Sequence, residues 1–373
     1  MDYVMLKDVC AINMGQSPDS DSYNDNGEGV PFFQGNADFG ERYPVTRKWC
    51  TAPTKMAEPE DILISVRAPI GAMNYAKEEC CIGRGLAALT PDKSKVSPEF
   101  LFWLLKGKNE ELNSKGTGST FKAIGRKVLE ETLVPDIGLE KQIEYSKALE
   151  KVYAIIRSRK QELQKLDELI KSRFVEMFGD PTENPNNYPV KRIDEVAELV
   201  KGITYSPEEV CDKDGIIVLR SSNIKGSSFD LQDIVTISKK ISSGKTVKEN
   251  DILMCNRNGS ARLVGKVALI PKLDEDMTFG TFMTIVRSQM YKYLFVFFQM
   301  EAFRRQIQFQ TAVAINQISL PLLAGVTVPI PPMELQEQFA TFVEQVDKLK
   351  SEVQKSLDET QLLMDSLMQK YFG

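Results

Sequence analysis

Hydrophobic residues recur every seven positions along two long stretches of this chain, residues 139–178 and 333–372. Neither stretch contains a glycine or a proline, and many charged side chains separate the hydrophobic ones. A seven-residue repeat places its hydrophobic side chains in one narrow line along a helix. The pattern therefore predicts two long helices of about 35 to 40 residues each. At a rise of roughly 1.5 Å per residue, each helix would be about 50 to 60 Å long.

A narrow hydrophobic seam on helices of this length needs a partner, so the two helices are expected to pack against each other in antiparallel orientation. Lys350 falls on the seam, where a cation selects the register of pairing. Gly179 ends the first helix, and a proline-rich linker, residues 180–187, follows. The seam residues are Leu149, Val152, Ile156, Leu163, Leu166, Ile170, Met177, Val343, Val346, Val353, Leu357, Met364 and Leu367.

Each long stretch closes one copy of an internal repeat. Phe178-Gly179 matches Phe372-Gly373 at an offset of 194 residues, and Gly15 matches Gly202 at an offset of 187. An offset that grows by small insertions is typical of a duplicated domain, and solenoid repeats have periods of only about 20 to 50 residues. The chain is therefore expected to contain two domains of one type.

The two domains, residues 1–138 and 188–332, are expected to mix short strands with helices. Asp61 and Asp251 each precede a short hydrophobic run of strand length. The expected fold class is α+β, with two similar mixed α/β domains separated by two long antiparallel coiled-coil-like helices in a pseudo-twofold internal repeat. The helical segments are residues 139–179 and 333–373.

The composition removes most kinds of catalytic site. The chain contains no histidine, which excludes Ser-His and Cys-His triads and zinc sites that contain histidine. Its six cysteines form no CxxC pair, and Gly244-Lys245-Thr246 lacks the first glycine of a phosphate-binding loop. We therefore expect no catalytic, cofactor-binding or metal-binding residue in this chain. No run approaches the roughly 18 apolar residues of a membrane helix, and a cytoplasmic location is expected.

One motif occurs in two copies, Val134–Gln142 and Val328–Gln336, and each copy leads into a long helix. A second motif, Asp61–Gly71, lies in the first domain. With the two terminal Phe-Gly pairs, these motifs occur in the order domain, helix, domain, helix. In this arrangement the chain resembles the specificity subunit of type I restriction-modification systems. The resemblance covers essentially the whole chain, and its motifs are specific because they are duplicated in register.

The resemblance implies a non-catalytic subunit whose two target-recognition domains read a bipartite, asymmetric double-stranded DNA sequence. It also implies two methyltransferase subunits and restriction/translocase subunits as partners. The cofactors S-adenosylmethionine, ATP and magnesium are then expected in those partners, and none in this chain.

Candidate DNA contacts are basic, amide and hydroxyl side chains in loops, because such groups reach phosphates and base edges. In the first domain, Lys115, Lys122, Arg126 and Lys127 form a basic cluster in the sequence. Arg67 and Arg257 occupy matching places in the two copies and are equally suited to anchoring the fold. The candidates are Arg67, Lys115, Thr117, Lys122, Arg126, Lys127, Arg257, Asn258, Ser260, Arg262, Asn316 and Gln317.

The charge distribution differs between the two copies. Residues 1–140 contain 16 Lys and Arg against 21 Asp and Glu, whereas residues 188–333 contain 18 against 15. The second domain is therefore expected to bind DNA better on its own. Two other readings of the sequence remain open, a coiled-coil adaptor without DNA specificity of its own and a stand-alone DNA-modifying enzyme.

Overall fold

The structure of the chain is a computed structural model that describes residues 2–118, 122–212, 215–308 and 316–373. It divides into two compact units. The first unit consists of residues 1–160 and 355–373, and the second of residues 161–354. Each unit thus combines one sheet-containing domain with part of both long helices.

The N-terminal half of the chain begins with short strands and ends in the first long helix, whose second part belongs to the second unit. In chain order its elements are β1 (Tyr3–Met5), α1 (Leu6–Val9), β2 (Cys10–Met14), β3 (Tyr23–Asn24), β4 (Val30–Phe33), β5 (Trp49–Cys50), β6 (Met56–Ala57), β7 (Ile62–Ser65), β8 (Met73–Tyr75), β9 (Cys80–Ile82), β10 (Leu86–Pro91), α2 (Pro98–Gly107), α3 (Asn109–Ser114), α4 (Arg126–Glu130), β11 (Leu133–Pro135) and α5 (Leu139–Phe178).

The C-terminal half of the chain contains elements of the same kinds in nearly the same order, and the second part of its long helix belongs to the first unit. They are β12 (Val190–Arg192), α6 (Ile193–Val196), β13 (Glu198–Lys201), β14 (Val210–Cys211), β15 (Ile216–Leu219), β16 (Ile224–Lys225), β17 (Ser228–Phe229), β18 (Thr236–Ile237), β19 (Ile252–Cys255), β20 (Val267–Leu269), β21 (Met277–Phe279), β22 (Met283–Arg287), α7 (Tyr291–Phe297), α8 (Glu301–Gln308), α9 (Leu320–Gly325), β23 (Thr327–Pro329) and α10 (Met333–Phe372).

Each unit is built around an antiparallel four-stranded sheet, in the order β2-β10-β7-β8 in the first and β13-β22-β19-β20 in the second. A second sheet in each unit contains one parallel pair, β4 with β9 and β15 with β21. The strand next to the start of each long helix also pairs with the first strand of its domain, β11 with β1 and β23 with β12. This shared topology confirms the predicted fold class of two similar mixed domains with long helices.

The central strands follow the acidic turns seen in the sequence. The Asp61 carboxylate accepts a hydrogen bond from the backbone N–H of Glu58 at 2.9 Å, and Asp251 accepts one from Lys248 at 2.8 Å. Strands β7 and β19 come directly afterwards, and all their side chains are buried. The Asp251 carboxylate, only 1% exposed, also accepts hydrogen bonds from the guanidinium of Arg287, which raises the pKa of Arg287.

A close backbone crossing occurs at the same place in each unit, just after the first strand of the four-stranded sheet. A Cβ atom on Gly15 would lie 2.2 Å from the carbonyl oxygen of Gly83, and one on Gly202 would lie 2.0 Å from that of Gly280. No side chain fits in so little space, because the neighbouring atoms belong to the backbone. The duplicated glycine therefore has a steric cause.

In the first unit, aromatic side chains pack the helices against the domain. Tyr145 of α5 stacks on Tyr371 of α10 with ring centroids 3.9 Å apart, and Phe372 meets Phe100 of α2 at 5.4 Å. Trp103 packs edge-to-face against Tyr153 at 5.4 Å. The last turn of α10 is therefore part of the core of this unit.

In the second unit, Phe174 of α5 is fully buried. It stacks on Tyr293 of α7 at 4.9 Å and lies edge-to-face with Phe339 of α10 at 5.5 Å. Asp167, which precedes Phe174 in α5, pairs at 2.6 Å with Lys350, which follows Phe339 in α10. Because contacts earlier in α5 fall later in α10, the two helices run antiparallel within this unit.

The seam residues fall into two groups by exposure. Lys350, the cation on the seam, is half-buried in its ion pair with Asp167. Buried members are Leu149, Val152, Ile156, Ile170, Val343, Val346, Val353, Leu357 and Met364. Half-buried members are Leu163, Leu166, Met177 and Leu367.

All six cysteines are free thiols, and burial raises the pKa of Cys10 and Cys80 to about 12. Over the residues described, the structure has no helix that is both long enough and apolar enough to cross a membrane.

The glycine crossing predicts that Gly202→Ala lowers the free energy of unfolding by about 1–3 kcal/mol or more, because the added methyl group has to displace backbone. Gly244→Ala is the matched control, since a Cβ at that position has no heavy atom within 4 Å. Urea unfolding followed by circular dichroism measures both variants. Equal midpoints would show that the crossing relaxes freely.

Removing the buried ring in Phe174→Ala is expected to cost about 3–5 kcal/mol, as large-to-small changes in well-packed cores do. The neighbouring Val175 is 42% exposed, and Val175→Ala should change stability by less than about 0.5 kcal/mol. Differential scanning calorimetry of the two variants tests this difference. A similar shift in both would argue against the aromatic contact as the main link between helix and domain.

Candidate nucleic-acid interface

Four backbone hydrogen bonds join the same loops in each unit, at the ends of the central strands. We call these segments the loop platform: residues 33–35, 66–68, 83–85 and 122–124 in the first unit, and 219–221, 256–258, 280–282 and 316–318 in the second. In the first unit the bonds run, from amide donor to carbonyl acceptor, from Gly83 to Phe33, Val66 to Gly85, Ala68 to Lys122, and Ile124 to Val66. The matching bonds of the second unit, in the same order, run from Gly280 to Leu219, Asn256 to Phe282, Asn258 to Asn316, and Ile318 to Asn256.

The platform of the first unit brings three sequence candidates together. Arg67 and Thr117 each form a bridge with the backbone of Ala123, and Lys122 accepts the bond from Ala68. The side chains of Arg67, Thr117 and Lys122 are exposed. They supply two cations and one hydroxyl at the ends of the loops.

The other basic candidates of the first unit pair with carboxylates close to them in sequence. Lys115 lies 2.6 Å from Glu111, and Arg126 lies 2.7 Å from Glu130. Lys127 lies 3.7 Å from Glu131 and is highly exposed. Of the basic cluster Lys115, Lys122, Arg126 and Lys127, three members are therefore paired with carboxylates, and Lys122 is the member on the platform.

The platform of the second unit brings five candidates together. Arg257 forms a bridge with Gln317, and its guanidinium lies over the ring of Phe282, 4.9 Å from the centroid. Asn258 donates to the Ser221 hydroxyl at 3.1 Å and accepts from the Ser260 amide at 3.0 Å. The remaining candidate of the five is Asn316, whose side-chain amide donates to the Gly259 carbonyl at 3.1 Å. Asn258 and Asn316 are thus already engaged in shaping the loop.

The last candidate, Arg262, is exposed on a short turn of helix, Ala261–Leu263, that follows this loop. The strand that leads into the loop ends at Cys255, whose thiol has its pKa raised by burial and so stays neutral. Arg257 and Arg262 bring two positive charges to this loop.

A cleft of about 800 Å³ opens beside the second platform. Its lining includes Tyr205, Arg220, Ser222 and Phe282, none of which was singled out from the sequence. Arg220 pairs with Asp233 at 2.8 Å, but no described residue accepts a hydrogen bond from its Nε, and the Ser222 hydroxyl likewise has no partner among the described residues. Phe282 is 50% exposed.

An aromatic residue two positions after a glycine, here Gly280 and Phe282, is the sequence signal that could have found this cleft. The arrangement offers hydrogen-bond donors, acceptors and a flat apolar surface, which suit phosphates and base edges. Over the residues described, we find no group of three or more carboxylate or cysteine side chains that could hold a metal ion. Whether the candidate residues contact DNA remains a prediction.

The family model for the "Type I restriction modification DNA specificity domain" matches residues 1–168 and 185–360, one copy of the repeat each. Two curated relatives illustrate the range of similarity. The chain is 44% identical over 156 residues to the putative type I restriction enzyme MjaX specificity subunit of Methanocaldococcus jannaschii, a match that covers 42% of this chain and 37% of that protein. It is 22% identical over 354 residues to the type I restriction enzyme EcoBI specificity subunit of Escherichia coli, covering 84% and 73%.

Two solved structures share the fold. The crystal structure of a type I restriction-modification S subunit from M. genitalium has a TM-score of 0.52 at 14% identity, covering 100% of this chain and 96% of that one. A chain from a structure that addresses complex assembly and conformational transition of the type I R-M system has a TM-score of 0.54 at 16% identity. The match covers 100% of this chain and 97% of that one. Since the family model matches both copies of the repeat, the chain belongs to the family of type I restriction-modification specificity subunits, with two DNA specificity domains.

Proposed function

We propose that this chain recognises a bipartite, asymmetric double-stranded DNA sequence, with each domain reading one block and neither catalysing a reaction. One observation carries the proposal: the two units share strand order and loop platform but differ in the side chains those loops carry. Two domains whose loops share a backbone arrangement but carry different side chains are expected to select two different DNA sequences.

The long helices supply a second part of the proposal, the binding of partner subunits. They leave several large hydrophobic side chains exposed to solvent, which is typical of surfaces that other proteins cover. These are Ile143, Ile155, Leu169, Val175, Leu349, Leu362 and Leu363. We assign two methyltransferase subunits and, beyond them, restriction/translocase subunits as partners. S-adenosylmethionine, ATP and magnesium belong to those partners, in the cytoplasm.

Co-expression of the chain with its methyltransferase partner should methylate adenines in one motif only. That motif is expected to contain two short, different blocks of specified bases separated by a fixed run of unspecified bases, because the two readers are not identical. Genome-wide mapping of methyladenine measures the motif directly.

Cells that express the methyltransferase without this chain are the control and should lack the motif. A continuous palindrome would contradict the proposal. No sequence preference with the full complex would favour a coiled-coil adaptor without DNA specificity. Methylation or cleavage by the purified chain alone would favour a stand-alone DNA-modifying enzyme.

The acidic balance of the chain generates a further prediction. Non-specific affinity for DNA comes mainly from basic side chains that release counterions from phosphates, and this chain has a net charge of -5. The isolated chain should therefore bind DNA weakly. Its complex with two methyltransferase subunits should bind more tightly and with a steeper dependence on salt. Dissociation constants over a salt series, with and without the partner, test this. Equal affinities and equal slopes would place the phosphate contacts on this chain.

A further inference from the structure

The matched hydrogen bonds of the loop platform align the two units residue by residue. The bonds from Val66 to Gly85 and from Asn256 to Phe282 make Gly85 and Phe282 equivalent. Val66 and Asn256 lie 190 residues apart in the sequence, whereas Gly85 and Phe282 lie 197 residues apart. Arg84 and Thr281 precede them at equivalent positions. Comparing side chains on this shared backbone separates what the two readers have in common from what distinguishes them.

Two side chains on the platform are the same in both units, and the others differ. One shared pair, Ile124 and Ile318, is buried and cannot reach DNA. Arg67 and Arg257 are equivalent and both are exposed. The equivalent positions that differ are Phe33 and Leu219, Gln34 and Arg220, Gly35 and Ser221, Val66 and Asn256, Ala68 and Asn258, Arg84 and Thr281, Gly85 and Phe282, Lys122 and Asn316, and Ala123 and Gln317.

A side chain that is identical in two readers cannot make them prefer different bases. A guanidinium in that position is suited to a phosphate, which every sequence presents. In contrast, Gln34 and Arg220 sit at the end of a strand in the parallel pair and differ in the base edge they fit, because glutamine pairs best with adenine and arginine with guanine.

Burial and partners single out the same positions. Gln34 and Arg84 are exposed. In the second unit, Arg220 and Phe282 line the cleft of about 800 Å³, and no described residue accepts a hydrogen bond from the buried Nε of Arg220. Arg257 stays against the ring of Phe282 at 4.9 Å, so the ring has a fixed neighbour on one side.

We propose that Arg220 and Phe282 select bases of one DNA block and that Gln34 and Arg84 select bases of the other, whereas Arg67 and Arg257 bind phosphates. This inference rests on the proposed function and names the residues that carry it out. Arg220 contacts a base edge in the groove, and Phe282 makes an apolar contact, for which the thymine methyl group is suited.

The test maps methyladenine motifs in cells that express the methyltransferase partner with variants of the full chain. Arg220→Ala with Phe282→Ala should relax one or two positions of one block, with a loss of discrimination on the order of 10- to 100-fold, and should leave the other block unchanged. Gln34→Ala with Arg84→Ala should do the converse. Arg257→Ala should weaken binding to all sequences and reduce the salt slope by about one, with both blocks intact.

Arg192→Ala is the matched control, because Arg192 is an exposed arginine of the second domain that pairs with Asp194 and is not on the platform. It should change neither block. Arg220→Lys and Phe282→Leu replace the alanine variants if those do not fold, as judged by circular dichroism. Lysine keeps the charge but loses the planar, two-donor contact, so it should still relax the block.

Three outcomes overturn the inference while leaving the proposed function in place. Both blocks remain unchanged in the folded variants, or one pair of substitutions alters both blocks, or Arg257→Ala changes the identity of a specified base. If the unaltered chain gives no bipartite motif at all, the proposed function itself fails.

Discussion

The loop platform depends on one steric constraint, the crossing of two glycine backbones in each unit. Gly15 approaches Gly83, and Gly202 approaches Gly280, so closely that no Cβ atom fits between them. The crossing fixes where the following loops begin, and four matched hydrogen bonds then set their paths. Because these restraints involve only backbone atoms, the side chains on the loops are free to differ. A constant scaffold with variable contacts follows from that separation.

The helices are held to the domains by buried groups as well as by the seam. Gln142, near the start of α5, accepts from the Ser97 amide at 2.8 Å and donates to the carbonyls of Lys95 and Ile137. Gln336, its counterpart in α10, donates to the Pro331 carbonyl at 2.8 Å. Both amides thus donate to the carbonyl five residues earlier, which ties the start of each helix to the turn before it. This explains why glutamine recurs at an offset of 194 residues.

The sequence predicted the elements well and the loops poorly, for physical reasons. Heptad spacing gives the long helices because it reflects a local, regular geometry, and the structure has helices at Leu139–Phe178 and Met333–Phe372. Phe174 escaped the heptad analysis because it lies off the seam and packs against the domain. Phe282 and Arg220 escaped it because their equivalence to first-unit residues depends on hydrogen bonds across loops whose lengths differ. Sequence offsets drift at such insertions, whereas backbone pairing does not.

The packing of the last helical turn bears on how the molecule is assembled during synthesis. Tyr371 and Phe372 lie in the core of the first unit, against Tyr145 and Phe100. A ribosome therefore releases the first domain long before the residues that complete its core have been made. Until residues 371 and 372 have been made, the rings of Phe100 and Tyr145 lack these two partners, so the first unit is completed after the second although its synthesis began first. Domains of multidomain proteins commonly fold one after another from the N-terminus during synthesis. Here the first unit cannot complete its core in that order, because part of the core comes from residues 355–373.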